Sequence, residues 1–455
     1  MMAAGQAALS GAEVVLLEKM RQPGRKIAIS GKGRCNLGNS AALPEFMAHF
    51  GRSGRFLRPA FQHFFTEELV RFFQEQGLEL IIERGGRIFP AQGNAPDVVK
   101  VLRQWLEGLS VAFRPDSAAE KLLLKDGKVE GVLCNGNPVY GRAVLLATGG
   151  ASYPATGSSG DGYRLAESVG HSIVPIRPGL VPLTTQGDLA RRLTGLHLRN
   201  VGVRVTISDP GCGRKGRNRQ KKLNAFGELL FMQYGLSGPV ILTLSNEIVD
   251  ALRADKQVTL VLDLKPALDE QKLDARLQRD LRNRHKEPMH SVLRGLLPEK
   301  LVRVCLDAIG LAPDRPAETI RAQERKRLRF WLKNIPFTMT GYRGFKEAII
   351  TCGGVSLKEV DPRTMASKCC PGLYLAGELL DLQADTGGYN LQAAFSTGCL
   401  AGRSAARYCN EGVAALKSVP HEKSLDRVSS ICFIGEETFS SETTKQIEKN
   451  EKRTA

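Results

Sequence analysis

Two hydrophobic periods run along this chain, and the places where one gives way to the other mark its elements. Residues 14–17 (VVLL) are an unbroken apolar, β-branched-rich run that ends in Glu18, the pattern of a strand covered on both faces of a parallel sheet. Ahead of it, residues 1–10 are rich in Ala and Met, read as a helix, and stop at Gly11. Further on, 69–76 is helical and 78–82 a short strand. Residues 97–109 form a helix with Val98, Val101, Leu102, Trp105 and Leu109 on one face and Asp97 as its N-cap. Strands follow over 111–113, 119–124 and 129–134, the last two joined by a Lys125-Asp126-Gly127-Lys128 turn. A second continuous apolar strand, 143–147 (AVLLA), empties into Thr148-Gly149-Gly150, then a Gly/Ser-rich loop and a helix over 162–169.

Beyond Pro182 the texture changes. Short strands over 201–208, 227–234 and 258–264 suggest a small antiparallel sheet or barrel. Residues 268–333 are helical and basic. At 348–351 the first texture returns, followed by Cys352-Gly353-Gly354 and a buried strand over 372–377 that runs into Glu378. The next segment, TGGYNLQAAFSTG (386–398), opens a helix of small residues whose N-terminus suits an anion or a carbonyl oxygen. Past Arg407 the pattern fades. Residues 411–455 are polar with one apolar patch, 431–434, and read as a disordered tail.

At 455 residues, with 42% hydrophobic and 24% charged content, the chain has the composition of a globular protein of two or three domains. No apolar run approaches the roughly 20 residues that span a bilayer, and the N-terminus lacks a basic segment before an apolar core, so the expected location is the cytoplasm. Ten cysteines without a C-x-x-C pair point to reduced thiols and to no metal site. His63, His171 and His197 have no ligand spacing and are assigned to structure. The net charge of +17 changes the picture because it is uneven: residues 186–346 hold 31 Lys/Arg against 17 Asp/Glu, an excess of 14. A localised excess points to a polyanionic partner. Arg214, Lys215, Arg217, Arg219, Lys221 and Lys222 crowd one stretch, and Arg325, Lys326, Arg327 and Arg329 another beside Phe330 and Trp331. These are the candidate polyanion contacts, with Phe330 and Trp331 able to stack on bases, and a solvated helix face is the competing reading of the second group.

Helix, Gly turn, buried strand and terminal carboxylate make the second half of a dinucleotide-binding βαβ unit, with Glu18 accepting from a ribose hydroxyl pair. Gly24 to Arg34 then supply flexible backbone, donors and positive charge suited to phosphate. A helix and strand of another α/β fold is the alternative. The unit needs a first strand and a G-x-G-x-x-G turn about 20 residues before the acid, and only 17 residues precede Glu18. The expectation is a sequence truncated at its N-terminus or begun at an internal Met.

Taken in order, strand–Glu18, GRKIAISGKGRCN, LLATGGASYPATGSSGDG, ITCGGV, PGLYLAGELLD and TGGYNLQAAFSTG resemble the YhiN/BaiN-like family of FAD-dependent oxidoreductases, of the two-dinucleotide-binding-domain type, over about residues 1–405. The resemblance implies an α/β fold: a Rossmann-like FAD-binding domain (1–182 and 347–407), interrupted by a small antiparallel β-barrel (183–265, returning over 334–346) and a helical insert (266–333), with a tail over 408–455. It implies FAD held by Glu18 at the adenosine ribose, and by Arg25, Lys26, Ser30, Gly31, Gly33 and Arg34 along the pyrophosphate and flavin. Backbone contacts would come from Thr148, Gly149 and Gly150. Gly377, Glu378, Gly387, Gly388, Tyr389, Asn390, Leu391 and Gln392 would line the ribityl and flavin end. NAD(P)H is the implied electron donor. FAD retention is in question because the first strand and fingerprint have no counterpart.

The family implies reduction of an activated double bond: uridine to dihydrouridine in 23S ribosomal RNA, which the basic insert favours, or reduction of a small molecule of the bile-acid-intermediate type. A third reading is a cofactor-less, degraded paralogue. Hydride addition to a uracil C5–C6 bond needs a proton donor at the neighbouring carbon. Cys35 and Cys352 are candidates, with Tyr389 or a water as substitutes.

Overall fold

Strands buried on both faces must be flanked by helices, and the first apolar runs of this chain do build such a layer. The computed structural model describes residues 1–209, 220–417 and 430–434. The chain divides into two compact units, Met1–Pro178 with Ile349–Ala455, and Gly179–Ala348.

The first unit is organised on a five-stranded parallel sheet with the order Leu373–Leu375, Ala143–Leu146, Ser430–Ile434, Glu13–Leu17, Ala112–Arg114. Every residue of Ala143–Leu146 is buried, as its unbroken apolar run requires. The helix Met2–Leu9 lies on the long helix Tyr389–Lys417. Their contact is so close that a Cβ on Gly402 would sit 2.2 Å from the Ala3 carbonyl oxygen, so one function of the small residues is backbone-to-backbone packing. The helix expected over 97–109 runs Ala95–Gly108. Asp97 is not its N-cap: it sits at the third helical position and accepts the backbone N–H of Asn94 at 2.7 Å, the reciprocal half of a capping box. Strands Ala119–Lys125, Lys128–Cys134 and Asn137–Tyr140 form a separate antiparallel sheet around the expected turn.

The pattern lost after Arg407 returns in the structure. The final helix continues to Lys417, and the lone apolar patch of the tail becomes the strand Ser430–Ile434. The physical reason lies outside the patch: two neighbouring strands present their inner edges to it, and their backbone groups need partners.

The second unit closes six strands into an antiparallel barrel, ordered Leu183–Thr185, Gly235–Ser237, Lys221–Met232, His197–Ser208, Gln257–Asp263, Ile335–Tyr342. Val203, Val205 and Ile207 pair with Leu262, Leu260 and Val258, and all six side chains are buried, so strict alternation defines the inward face. The sequence reading missed the helix Pro239–Arg253 within this span. Its signal was Pro at the first turn followed by apolar residues at helical spacing. Helices Glu270–Asn283, Met289–Arg294, Glu299–Ile309 and Ala322–Lys333 make up the insert before the last barrel strand.

Candidate functional site

Three strands of the parallel sheet, Glu13–Leu17, Ala143–Leu146 and Leu373–Leu375, lead at their C-terminal ends into Glu18, Thr148–Gly150 and Gly377–Glu378. Glu18 follows Glu13–Leu17 directly, is buried, and accepts the Met20 N–H at 3.0 Å. Its neighbour Lys19, also buried, donates to Ser159 Oγ at 2.8 Å and pairs with Asp161 at 3.0 Å. That pair fastens the Gly/Ser-rich loop to the sheet.

Lys26 stands on the short helix Arg25–Ile29. It donates to Ser152 Oγ at 2.7 Å and forms an ion pair with Glu378. Glu378 Oε1 in turn accepts the Thr351 N–H at 2.7 Å and the Ser152 hydroxyl at 3.2 Å. Thr351 Oγ1 accepts the Ala151 and Ser152 N–H groups at 2.7 and 3.1 Å. Three segments far apart in sequence (148–152, 350–355 and 377–379) are thereby laced into one polar wall behind Thr148, Gly149 and Gly150.

A second convergence joins the turn after the first strand to the start of the long helix. Asn39 Nδ2 donates to the Gly387 carbonyl at 3.0 Å. Gly388 has φ +99°, and a Cβ there would meet Gly38 O at 2.2 Å and Asn36 Oδ1 at 2.8 Å. Only glycine fits. Asn36 Oδ1, Thr148 Oγ1, Tyr163 OH and Gln392 Oε1 are buried with no hydrogen-bond partner among the described residues. Buried polar atoms are ordinarily satisfied, so four such atoms around the two convergences call for a ligand that bears donors and acceptors. The extended, polar, heteroaromatic FAD fits that requirement.

The other candidates fall as follows. Ser30, Gly31 and Gly33 form one tight turn. Arg25 is exposed. Arg34 is held outward: it pairs with Glu83 at 2.6 Å and lies 4.3 Å over the Phe89 ring. Gly377 has φ +73° at the strand exit. Asn390 clamps its own loop, bonding Ala384 N and O at 2.8 and 2.9 Å, and Leu391 packs against the core. Cys35 is fully buried at φ +59°; burial, opposed by a Ser30 hydrogen bond, pushes its thiol up to about 11. Cys352 is 1% exposed within Ile350–Val355. Tyr389 is buried, edge-on to Phe46 at 4.8 Å and stacked on His49 at 3.9 Å, and burial raises its phenol, with Glu45 and Asp385 adding to the effect.

Several site residues escaped the sequence reading. Ser152, Thr351, Asn36 and Tyr163 belong to the two convergences, and burial, with Glu378, Asp381 and Cys352 adding to it, holds the Tyr163 phenol far above its ordinary range. His49 Nδ1 lies 3.1 Å from Asp385 Oδ2, beside Tyr389. They are 336 positions apart, so nothing local signals the pair. Elsewhere, His171, Glu359 and Cys369 bring their ligand-capable atoms within 4.8 Å of one another.

The basic candidates divide. Arg214, Lys215, Arg217 and Arg219 lie outside the described residues. Lys221 pairs with Glu247 at 2.5 Å, while Lys222 and Lys326 are exposed. Arg325 and Arg329 both reach Asp274, at 3.1 and 3.3 Å, and Arg327 is 4.0 Å from Glu324. That helix face spends its charge largely on acids. Phe330 is 65% exposed, and Trp331 packs partly against the core.

A parallel α/β sheet whose strand ends carry a buried acid, a TGG turn and a glycine-led helix, together with a closed antiparallel barrel, defines a Rossmann-type FAD-dependent oxidoreductase. Residues 1–404 match the family described as HI0933-like protein Rossmann domain, and the chain belongs to that family. It is 31% identical over 395 residues to the 3-dehydro-bile acid delta(4,6)-reductase of Clostridium scindens, covering 87% of this chain and 93% of that one. It is 29% identical over 398 residues to the ribosomal RNA dihydrouridine synthase of Haemophilus influenzae, covering 87% and 92%. With the Escherichia coli protein of the same name it shares 30% over 395 residues, covering 87% and 91%. No helix among the described residues is long and apolar enough to cross a membrane.

Proposed function

We propose that this chain uses FAD, reduced by NAD(P)H, to saturate an activated C=C bond, with uridine in 23S ribosomal RNA as the substrate. The observation that carries the flavin part is the polar wall Lys26–Ser152–Glu378–Thr351 beside four partnerless buried polar atoms. Bound FAD supplies hydride chemistry, and the chain's residues do the rest. Lys26 and the N–H groups of Gly149 and Gly150 would hold phosphate or ring oxygens, behind which Thr351 fixes the turn by accepting the Ala151 and Ser152 N–H groups. Asn36 and Gln392 offer acceptors to ring N–H groups. Glu18 holds the ribose. Cys35 is the candidate to give a proton to the carbon next to the one receiving hydride; it is protonated at neutral pH, as an ordinary thiol is, and burial pushes it up to about 11.

The uridine reading is supported by the excess of 14 positive charges over 186–346, by exposed Lys222, and by two relatives named for that activity. A small-molecule reductase is the second reading. It is favoured by the neutralised face around Asp274 and by the bile-acid reductase relative.

The test replaces the basic residues of 214–222 with neutral ones and compares two readouts. Loss of ribosomal dihydrouridine with NAD(P)H-driven flavin reduction intact is the expected result. Unchanged ribosomal dihydrouridine would refute the RNA grip, and colourless purified protein would refute the flavin reading. RNA affinity should also fall steeply with salt, because phosphate contacts release counterions.

A further inference from the structure

We propose that His171, Glu359 and Cys369 form a binding site for a zinc-class divalent cation, with three protein ligands and a fourth position open to water. None of the three belongs to the polar wall or to the partnerless atoms around it. Their ligand-capable atoms all lie within 4.8 Å of one another. His171 Nδ1 is 3.4 Å from Glu359 Oε2 and 3.8 Å from Cys369 Sγ. The first distance is long for a direct N–H···O bond, which centres on about 3.0 Å. Both are close to the spacing of two ligands on one tetrahedral zinc. Metal bonds of about 2.1 Å to nitrogen and oxygen and about 2.3 Å to sulfur put N and O about 3.4 Å apart, and N and S about 3.6 Å. Cys369 is exposed, so a turn about its Cα–Cβ bond completes the set without moving backbone.

The donor set selects the metal. Thiolate, imidazole and carboxylate together suit zinc, whereas magnesium and calcium take oxygen ligands. The thiolate and the carboxylate balance two positive charges, and the thiol proton leaves to solvent as the metal binds. The His171 side chain is fully enclosed. Its other nitrogen lies 2.7 Å from Ser367 Oγ, the outer partner that holds a metal-bound imidazole in the tautomer with Nδ1 free for the metal. Backbone bonds already join the three segments. The Ser172 N–H donates to Glu359 Oε2 at 2.7 Å, and the Lys368 N–H to the Glu359 carbonyl at 2.9 Å. The Cys369 and Cys370 N–H groups share Ser367 Oγ at 3.0 and 2.9 Å. Ligands organised in this way lose little freedom on binding. With metal bound, the segment after the helix Asp161–Glu167 is clasped to the loop that leads into the strand Leu373–Leu375. Positions 171, 359 and 369 share no motif spacing, which is why the cysteine and histidine pattern pointed to no metal site.

Alkylation of the full-length protein by iodoacetamide tests the proposal at one residue. Fragment-resolved mass spectrometry separates Cys369 from the buried Cys370 beside it. Micromolar zinc should slow alkylation of Cys369 at least tenfold, and millimolar magnesium should leave it unchanged. An unchanged rate with zinc would overturn the site, and equal protection by magnesium would overturn the thiolate ligand. Cobalt in place of zinc should give the sulfur-to-metal and visible absorption of a tetrahedral thiolate site. Cys369→Ser, at an exposed position that leaves the fold intact, should abolish those bands; bands that survive would overturn the assignment. Glu359→Gln should raise the zinc concentration needed for protection at least tenfold, and undiminished protection in that variant would overturn the triad. None of these readouts depends on flavin or on turnover.

Discussion

Thr351→Val probes the polar wall with a single atom-for-atom change. Thr351 is 1% exposed, and its hydroxyl oxygen accepts two backbone N–H groups, from Ala151 at 2.7 Å and Ser152 at 3.1 Å. Valine has the same shape but offers a methyl where that oxygen was. Shape is therefore preserved and two buried donors lose their acceptor. An unsatisfied buried donor costs about 1–3 kcal/mol, so losing the acceptor of two should destabilise the first unit by roughly 2–6 kcal/mol. Thr351→Ser keeps the oxygen and loses only a methyl, at a cost of about 1 kcal/mol. The assay is urea unfolding followed by flavin fluorescence, which reports the nucleotide-binding unit rather than the barrel. The expected order of midpoints is wild type, then Ser, then Val well below both. Because the freed N–H groups lie in the turn after the Ala143–Leu146 strand, flavin retention should follow the same order. A valine variant as stable as the serine variant would refute the hydrogen-bond account of this wall.

Three further outcomes follow from the same geometry. Gly388→Ala should abolish flavin retention and destabilise by about 2 kcal/mol or more, since φ is +99° and the new Cβ would lie 2.2 Å from Gly38 O; absorbance at the flavin band checks it. Burial pushes the thiols of Cys35, Cys399 and Cys409 up to about 11 and that of Cys305 to about 12. Raised folded-state values mean stability present below an unfolded value near 9 and lost as pH climbs towards 11, on the order of 1 kcal/mol per thiol at pH 10; urea midpoints at pH 8 and pH 10 measure it. Burial, against the opposing pull of Glu359, lowers the His171 imidazole. The unfolded chain then takes up that proton first as pH falls through about 6.5, so stability drops on the acid side, and His171→Gln should flatten the change between pH 7 and pH 5.

The sequence by itself determined the elements whose cause is local. Unbroken apolar runs at 14–17 and 143–147 read as strands covered on both faces, 201–208 as part of a small antiparallel sheet or barrel, and Glu18, TGG and the glycine-led helix of small residues pointed to a nucleotide-binding architecture. What tertiary structure alone decided were relations between distant positions. No local rule joins Lys26 to Glu378, Thr351 to Ala151 and Ser152, or His49 to Asp385, because each is a side chain meeting a partner far away in the chain. The tertiary structure also drew Arg34 away to Glu83 and turned Arg325 and Arg329 towards Asp274, since charge on a helix follows whichever opposite charge packs against it. The clearest case is the centre of the sheet. SICFI, a five-residue patch in a polar tail, carried no sign of its place. A strand's position is set by the edges that need pairing, and those edges exist only after the rest of the sheet has formed.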